Sequence, residues 1–228
     1  MLVCMRKFST IPGEYYHVFN RGNNKQPIFL EEADWIRFLF LVLYFQSKHS
    51  FTNISFYTSH FNEHRVFNIS RKTLEKILKN RSIELVNFAL MPNHFHLLMR
   101  ELVGGGISKY MQKVLNAYTK YFNAKYNKVG HLFQEPFKIV WVESNEQLLY
   151  LSAYIHRNPR EIKEWKNREH KFPWSSFQDY ATGNRWGRLL KQDIILDQIS
   201  FGNEYKDLVD SSGAKDPSKK LDDRLLID

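Results

Sequence analysis

Apolar and polar residues alternate along Tyr15 to Asn20, with Tyr15, His17 and Phe19 on one side and Tyr16, Val18 and Asn20 on the other. A period of two predicts a strand. Arg21-Gly22-Asn23-Asn24 supplies turn residues. From Glu31 to Lys48 the period changes. Trp35, Phe38, Leu39, Val42, Leu43 and Phe45 recur mostly at helical spacing, behind an acidic start (Glu31, Glu32, Asp34) that suits a helix N-terminus. The polar and aromatic stretch from His49 to Asn80 follows neither period and holds one short helical candidate, Lys72 to Lys79, so it reads as an insertion. Ile83 to Leu90 and His94 to Glu101 predict two strands joined at Met91-Pro92-Asn93 as a hairpin. After Gly104-Gly105-Gly106, one helical face carries Ile107, Tyr110, Met111, Val114, Leu115, Tyr118 and Phe122, with Lys109, Lys113 and Lys120 elsewhere on its surface. Phe137 to Val142 predicts a fourth strand, and Asn145 to Arg157 a helix stopped near Pro159. Antiparallel strands with interposed helices point to an α+β sandwich.

Composition narrows the class. The 228 residues include 33 Lys plus Arg and 24 Asp plus Glu, a net charge of +9, with 43% hydrophobic residues. That is a globular composition and not a disordered one. The most apolar stretch, Trp35 to Phe45, is broken by Arg37 and falls short of the roughly 18 apolar residues a membrane span needs. The first residues lack a signal-peptide pattern. The single cysteine, Cys4, excludes an intramolecular disulfide framework and a cysteine-built zinc site. A cytoplasmic protein with a polyanionic partner is expected, nucleic acid by default. The basic excess is local: residues 101–188 hold 14 Lys plus Arg against eight Asp plus Glu, whereas from Glu204 onward there are five against seven. The end, from about Ser211, is polar and mixed in charge and is expected to be mobile.

Two short patterns carry candidate chemistry. His94 and His96 bracket Phe95 on a predicted strand, so both imidazoles can face one divalent metal while Phe95 turns into the opposite layer. Alone, the triplet fits two alternating histidines just as well, and two ligands do not complete a metal site. Tyr154 and Asn158 stand four apart at the end of a predicted helix and share a face. The first offers a phenol nucleophile and the second a neutral oxygen ligand. On spacing alone, a packed tyrosine beside a helix-ending asparagine is the simpler account.

Together these phrases resemble the HUH superfamily, specifically the single-tyrosine transposases of bacterial insertion sequences, and most closely the REP-associated tyrosine transposases. The resemblance runs from about Tyr15 to Tyr180. It rests on Tyr16-His17-Val18-Phe19-Asn20-Arg21-Gly22, Met91-Pro92-Asn93-His94-Phe95-His96-Leu97-Leu98, Gly130-His131-Leu132-Phe133-Gln134, Tyr154-Ile155-His156-Arg157-Asn158-Pro159 and Trp174-Ser175-Ser176-Phe177. It implies a ferredoxin-like (RRM-like) α+β sandwich whose central antiparallel sheet carries the two histidines. The domain is expected over residues 1–185, with the insertion at about 49–80 and a C-terminal extension over 186–228. It implies His94, His96 and Asn158 as ligands of Mg²⁺ or Mn²⁺ and Tyr154 as the nucleophile. Of the twelve tyrosines, Tyr118 falls on the apolar stripe, and Tyr121 and Tyr126 have Lys125 and Gly130 four residues on. Only Tyr154 has Asn158 in that place, with Tyr118 and Tyr121 as distant alternatives.

The implied activity is cleavage and rejoining of single-stranded or hairpin DNA through a 5′-phosphotyrosine link. The bacterial protein is expected to act away from membranes, with a homodimer as one arrangement. Alternatives are a domesticated nicking or replication-initiator-like HUH endonuclease, or a non-catalytic nucleic-acid-binding regulator on the same scaffold. Arg21, Lys25, Lys113, Lys120, Lys138 and Arg157 are candidate DNA contacts by charge. Trp174, Phe177 and Tyr180 are candidates for base stacking or for C-terminal packing. His156 is expected to be an exposed structural residue.

Overall fold

Strands β1 (Tyr15–Arg21), β2 (Ile83–Met91), β3 (His94–Glu101) and β4 (Lys138–Trp141) form one antiparallel sheet in the order β2-β3-β1-β4. Helix α1 (Glu32–Tyr44) follows β1 and α4 (Gly106–Lys125) follows β3. The hairpin strand β3 thus lies between β1 and β2, as the ferredoxin-like arrangement requires. The computed structural model describes residues 9–61, 65–134, 136–199 and 204–213. Cys4 and the final segment from residue 214, where mobility is expected, lie outside the described residues, as do 62–64 of the insertion.

The two faces of the sheet are both covered. On one, Phe95 packs against Phe38 of α1 at 5.2 Å and Phe133 at 6.0 Å, and Phe38 meets Tyr118 of α4 at 4.8 Å. On the other lies α5 (Asn145–Arg157), whose N-cap Ser144 accepts a hydrogen bond from the Gln147 amide. Every residue of β2 is buried, as expected of a strand with layers on both sides.

The insertion is built into the domain. Its helices α2 (Ile54–Ser59) and α3 (Arg71–Lys79) belong to a segment whose Phe51, Tyr57 and Phe67 surround Phe40 of α1 at 5.0, 5.6 and 5.2 Å. Helix α1 is therefore buried all round from Phe38 to Tyr44, which explains its unbroken apolar run. It ends at Tyr44 and does not reach Lys48, because the following residues are drawn to β2. Ser47 bridges Arg81, and the Ser82 amide donates to the Gln46 carbonyl at 2.7 Å.

The C-terminal part covers the outer edge of β2. The Leu90 amide donates to the Trp174 carbonyl at 2.9 Å and the Ser176 amide to Phe88 at 3.0 Å, so the Trp-Ser-Ser phrase pairs with an otherwise open strand edge. Trp174, Phe177 and Tyr180 are buried, and Trp174 stacks on Trp35 at 5.4 Å. Packing is their role here. Helices α6 (Phe177–Thr182), α7 (Asp193–Leu196) and α8 (Glu204–Ser211) complete this side, and Tyr205 and Val209 of α8 are buried. Among the described residues no helix is long and apolar enough to cross a membrane.

Candidate active site

Strand register assembles the site. Phe19 pairs with His96 and Arg21 with His94 across β1 and β3, Lys138 of β4 pairs with Phe19, and Ala89 and Met91 of β2 pair with His96 and His94. Residues directly opposed across antiparallel strands share a face. His17, Phe19, Arg21, His94, His96 and Lys138 therefore occupy the face that α5 covers, and Phe95 the other.

The turn before β3 fixes His94. The Gly22 amide donates to the Asn93 carbonyl and the Ile28 amide to the Pro92 carbonyl, each at 2.8 Å. Gly22 permits this approach, since a Cβ there would fall on the Gln26 carbonyl oxygen. Asn93 Nδ2 donates to the Lys25 carbonyl at 3.1 Å, which turns Oδ1 toward His94 Nδ1 at 2.7 Å. An amide oxygen only accepts, so His94 Nδ1 carries a proton, and in the neutral ring the lone pair then sits on Nε2. His96 is fully buried, and its Nδ1 shares a 2.9 Å hydrogen bond with His17 Nε2.

Helix α5 brings Tyr154 to these rings. Tyr154 lies edge-on to His96, with centroids 5.6 Å apart and planes at 90°, and meets His17 at 6.3 Å. Asn158 caps the helix: its Nδ2 donates to the Tyr154 carbonyl at 2.9 Å and reaches the Ile155 carbonyl at 3.4 Å. Its Oδ1 points away from those carbonyls and is buried without a hydrogen-bond partner among the described residues. An orphaned buried acceptor costs about 1–3 kcal/mol, so it calls for a ligand. Among the described residues no three His, Cys, Asp or Glu side chains gather to hold a metal. The donors that could hold a divalent ion here are the imidazoles of His94 and His96 and the neutral oxygen Asn158 Oδ1, ligand types that such ions accept alongside water or phosphate oxygens.

The alternatives Tyr118 and Tyr121, and their neighbour Tyr126, are engaged elsewhere. Tyr118 is buried on the Phe95 side, donates to the Ile28 carbonyl, and is pushed far up by burial. Tyr121 and Tyr126 both donate to Asp34, and Tyr126 is pushed up to about 12 by burial and that carboxylate.

His156 is fully buried, not exposed. Its Nδ1 meets the Tyr205 hydroxyl at 2.5 Å and its Nε2 the Ser176 hydroxyl at 2.7 Å, and burial lowers its pKa to about 3. It fastens the Tyr154 helix to α8 and to the Trp-Ser-Ser segment. The alternation of the sequence held no sign of this, because both partners are distant in the chain.

The six candidate cations divide. Arg21 and the exposed Lys138 share the histidine face, and the exposed Lys25 sits in the adjoining turn with a positive φ of 59°. Lys120 is exposed on α4, the helix behind the opposite face. Lys113 donates to the Ser47 and His49 carbonyls at 3.2 and 2.6 Å and lies over Phe45. Arg157 is buried and donates to the Val209 and Asp210 carbonyls at the end of α8. His17 and Asn93 were not singled out from the sequence. The signal for His17 was its parity with Phe19 on β1, and for Asn93 its place directly before His94.

Comparison with known proteins gives the family of the chain. No curated protein matches the chain. A solved structure of a REP-associated tyrosine transposase bound to a REP hairpin is similar over 75% of this chain and 82% of that one, with a TM-score of 0.49 and 15% identity. The family model described as transposase IS200 like matches residues 43–158, half of the sequence. That match contains both histidines, Tyr154 and Asn158, and the chain belongs to the IS200-like transposase family.

Proposed function

We propose that this protein is a metal-dependent endonuclease and strand transferase for single-stranded or hairpin DNA, working through a phosphotyrosine at Tyr154. The observation that carries this reading is the edge-on packing of Tyr154 against His96 within one chain. It joins the phenol to the histidine face and requires no tyrosine from a second copy. The preference for hairpins rests on the sequence resemblance alone.

A bound Mg²⁺ or Mn²⁺ would neutralise and polarise the scissile phosphate. His94 and His96 would hold it through Nε2, and Asn158 through Oδ1. The chain's own part is positioning. Asn93 sets the tautomer of His94, α5 sets the approach of Tyr154, and Arg21 and Lys138 on the same face offer positive charge to a phosphate. The Tyr154 oxygen attacks phosphorus, the bond to the 3′ oxygen breaks, and that oxygen takes up a proton as the phenol loses one. The phosphoryl group stays on the enzyme, so the reverse step can join a new 3′ end. His94, His96 and Tyr154 are 5%, 0% and 2% exposed, so DNA reaches them only when elements packed on this face move.

The test is cleavage of a single-stranded hairpin substrate. Tyr154→Phe abolishes cleavage and keeps DNA binding, and chelation silences the wild type until Mg²⁺ or Mn²⁺ is restored. Retained cleavage by Tyr154→Phe, or full activity in chelator, contradicts the reading.

A further inference from the structure

His17 lies in the middle of β1, fully buried, on the face shared by the two histidines of β3. Its ring lies nearly parallel to that of His96, 14° from it and with centroids 5.1 Å apart, and its Nε2 lies 2.9 Å from His96 Nδ1, so the two rings meet edge to edge through that hydrogen bond. It also meets Tyr154 at 6.3 Å and Phe19 at 4.7 Å. One buried ring thus touches both the second histidine and the candidate nucleophile.

We propose that His17 is a positioning residue that accepts the Nδ1 proton of His96 and so presents the His96 Nε2 lone pair to a divalent metal. The inference rests on the metal-binding reading of His96. A hydrogen bond between two neutral imidazoles has one donor and one acceptor. If His17 donated, neutral His96 would carry its proton on Nε2 and could not ligate through that nitrogen. If His96 donates, Nε2 holds the lone pair. His94 is set in the same tautomer by Asn93, through a backbone-anchored amide. Two different partners therefore enforce one protonation pattern on the two histidines, as orienting partners of metal-binding imidazoles do. His17 is not itself a ligand through Nε2, which His96 occupies. The same in-plane hydrogen bond also fixes the plane of the His96 ring, against which Tyr154 rests edge-on.

The experiment uses the full metal-free chain. The imidazole ¹⁵N shifts of His96 report its tautomer in the wild type, in His17→Phe (a ring without a hydrogen bond) and in His17→Gln (an amide oxygen able to accept near the Nε2 position). Calorimetric titration with Mn²⁺ in the absence of DNA gives affinity, and thermal melting reports the fold. The wild type is expected to show the Nδ1–H tautomer at His96. His17→Phe is expected to lose that tautomer and weaken Mn²⁺ binding by about 10- to 100-fold. His17→Gln is expected to recover most of the affinity whatever its melting temperature. A role in packing alone would move melting in both variants and leave the tautomer unchanged. An Nε2–H tautomer in the wild type, or His17→Phe binding Mn²⁺ as the wild type does, overturns the assignment, as does His17→Gln binding no better than His17→Phe. A wild type that takes up no Mn²⁺ fails the metal reading itself, and the His96 tautomer, which needs no variant to measure, still decides the role of His17.

Discussion

The two ends of the Asn158 amide sit in different surroundings. Its nitrogen closes the end of α5 on the Tyr154 and Ile155 carbonyls, and this leaves its oxygen buried without a hydrogen-bond partner among the described residues. Asn158→Ala removes the helix-end hydrogen bonds and also a costly orphaned acceptor, two effects of opposite sign. Its stability, measured by urea unfolding, is expected to change by about 1 kcal/mol or less, while Mn²⁺ affinity falls clearly in calorimetry. A large loss of stability with unchanged affinity would make Asn158 a cap and nothing more. The fourfold spacing from Tyr154 puts Asn158 on the same helix face, just as the alternation of β3 puts His94 and His96 on one sheet face, but the roles expected of all four came from the family resemblance and not from spacing. His17 obeyed the same alternation, yet its role depends on which strand pairs with β1. No local period encodes the Phe19–His96 register. The burial of His156 is hidden from any local pattern for a similar reason, since its partners Ser176 and Tyr205 lie 20 and 49 residues away.

Among elements, the joint between α1 and α4 is the clearest case of a polar group stabilising the fold. Asp34 is fully buried near the start of α1 and accepts hydrogen bonds from Lys125, Tyr121 and Tyr126 around the end of α4, and from the Leu30 amide. Burial pushes its carboxyl up, but the bonds from Lys125, Tyr126, Leu30 and Tyr121 outweigh this and hold it below the usual range. A depressed carboxylate pKa contributes stability above the unfolded value, near 4, and that contribution is lost as pH falls through the folded value. Asp34→Asn is therefore expected to lose about 2 kcal/mol or more at pH 7 and to show a shallower decline below about pH 4. Urea unfolding at pH 7, 5 and 3.5 checks this, and parallel pH profiles for the two proteins would refute it. The elements themselves were largely legible: β3 and α5 begin and end where periodicity placed them. The helices of the insertion were only partly so, because they are held by aromatic contacts to Phe40 and not by a strong period of their own.

At the scale of the whole molecule, the charge of +9 overstates the surface available to DNA. Lys113, Lys125, Arg157 and Arg185 are bound to carbonyls or carboxylates of the fold. Arg21, Lys25 and Lys138 lie on or beside the histidine face. Affinity for single-stranded DNA is expected to fall with salt, and joint replacement of these three by alanine to flatten the log–log slope by about two, at roughly 0.7 per phosphate contact. Lys113→Ala is expected to leave the slope unchanged. Binding titrations across salt concentrations check both, and equal slopes for all proteins would remove this surface from the account. The central claim is chemical, and one measurement meets it most directly: incubation with a labelled single-stranded hairpin and Mg²⁺ or Mn²⁺, followed by denaturation, proteolysis and mass mapping of the DNA-bearing peptide. The predicted result is a 5′-phosphate ester on Tyr154, absent in Tyr154→Phe. Cleaved DNA with no protein adduct, or an adduct on another residue, would contradict it.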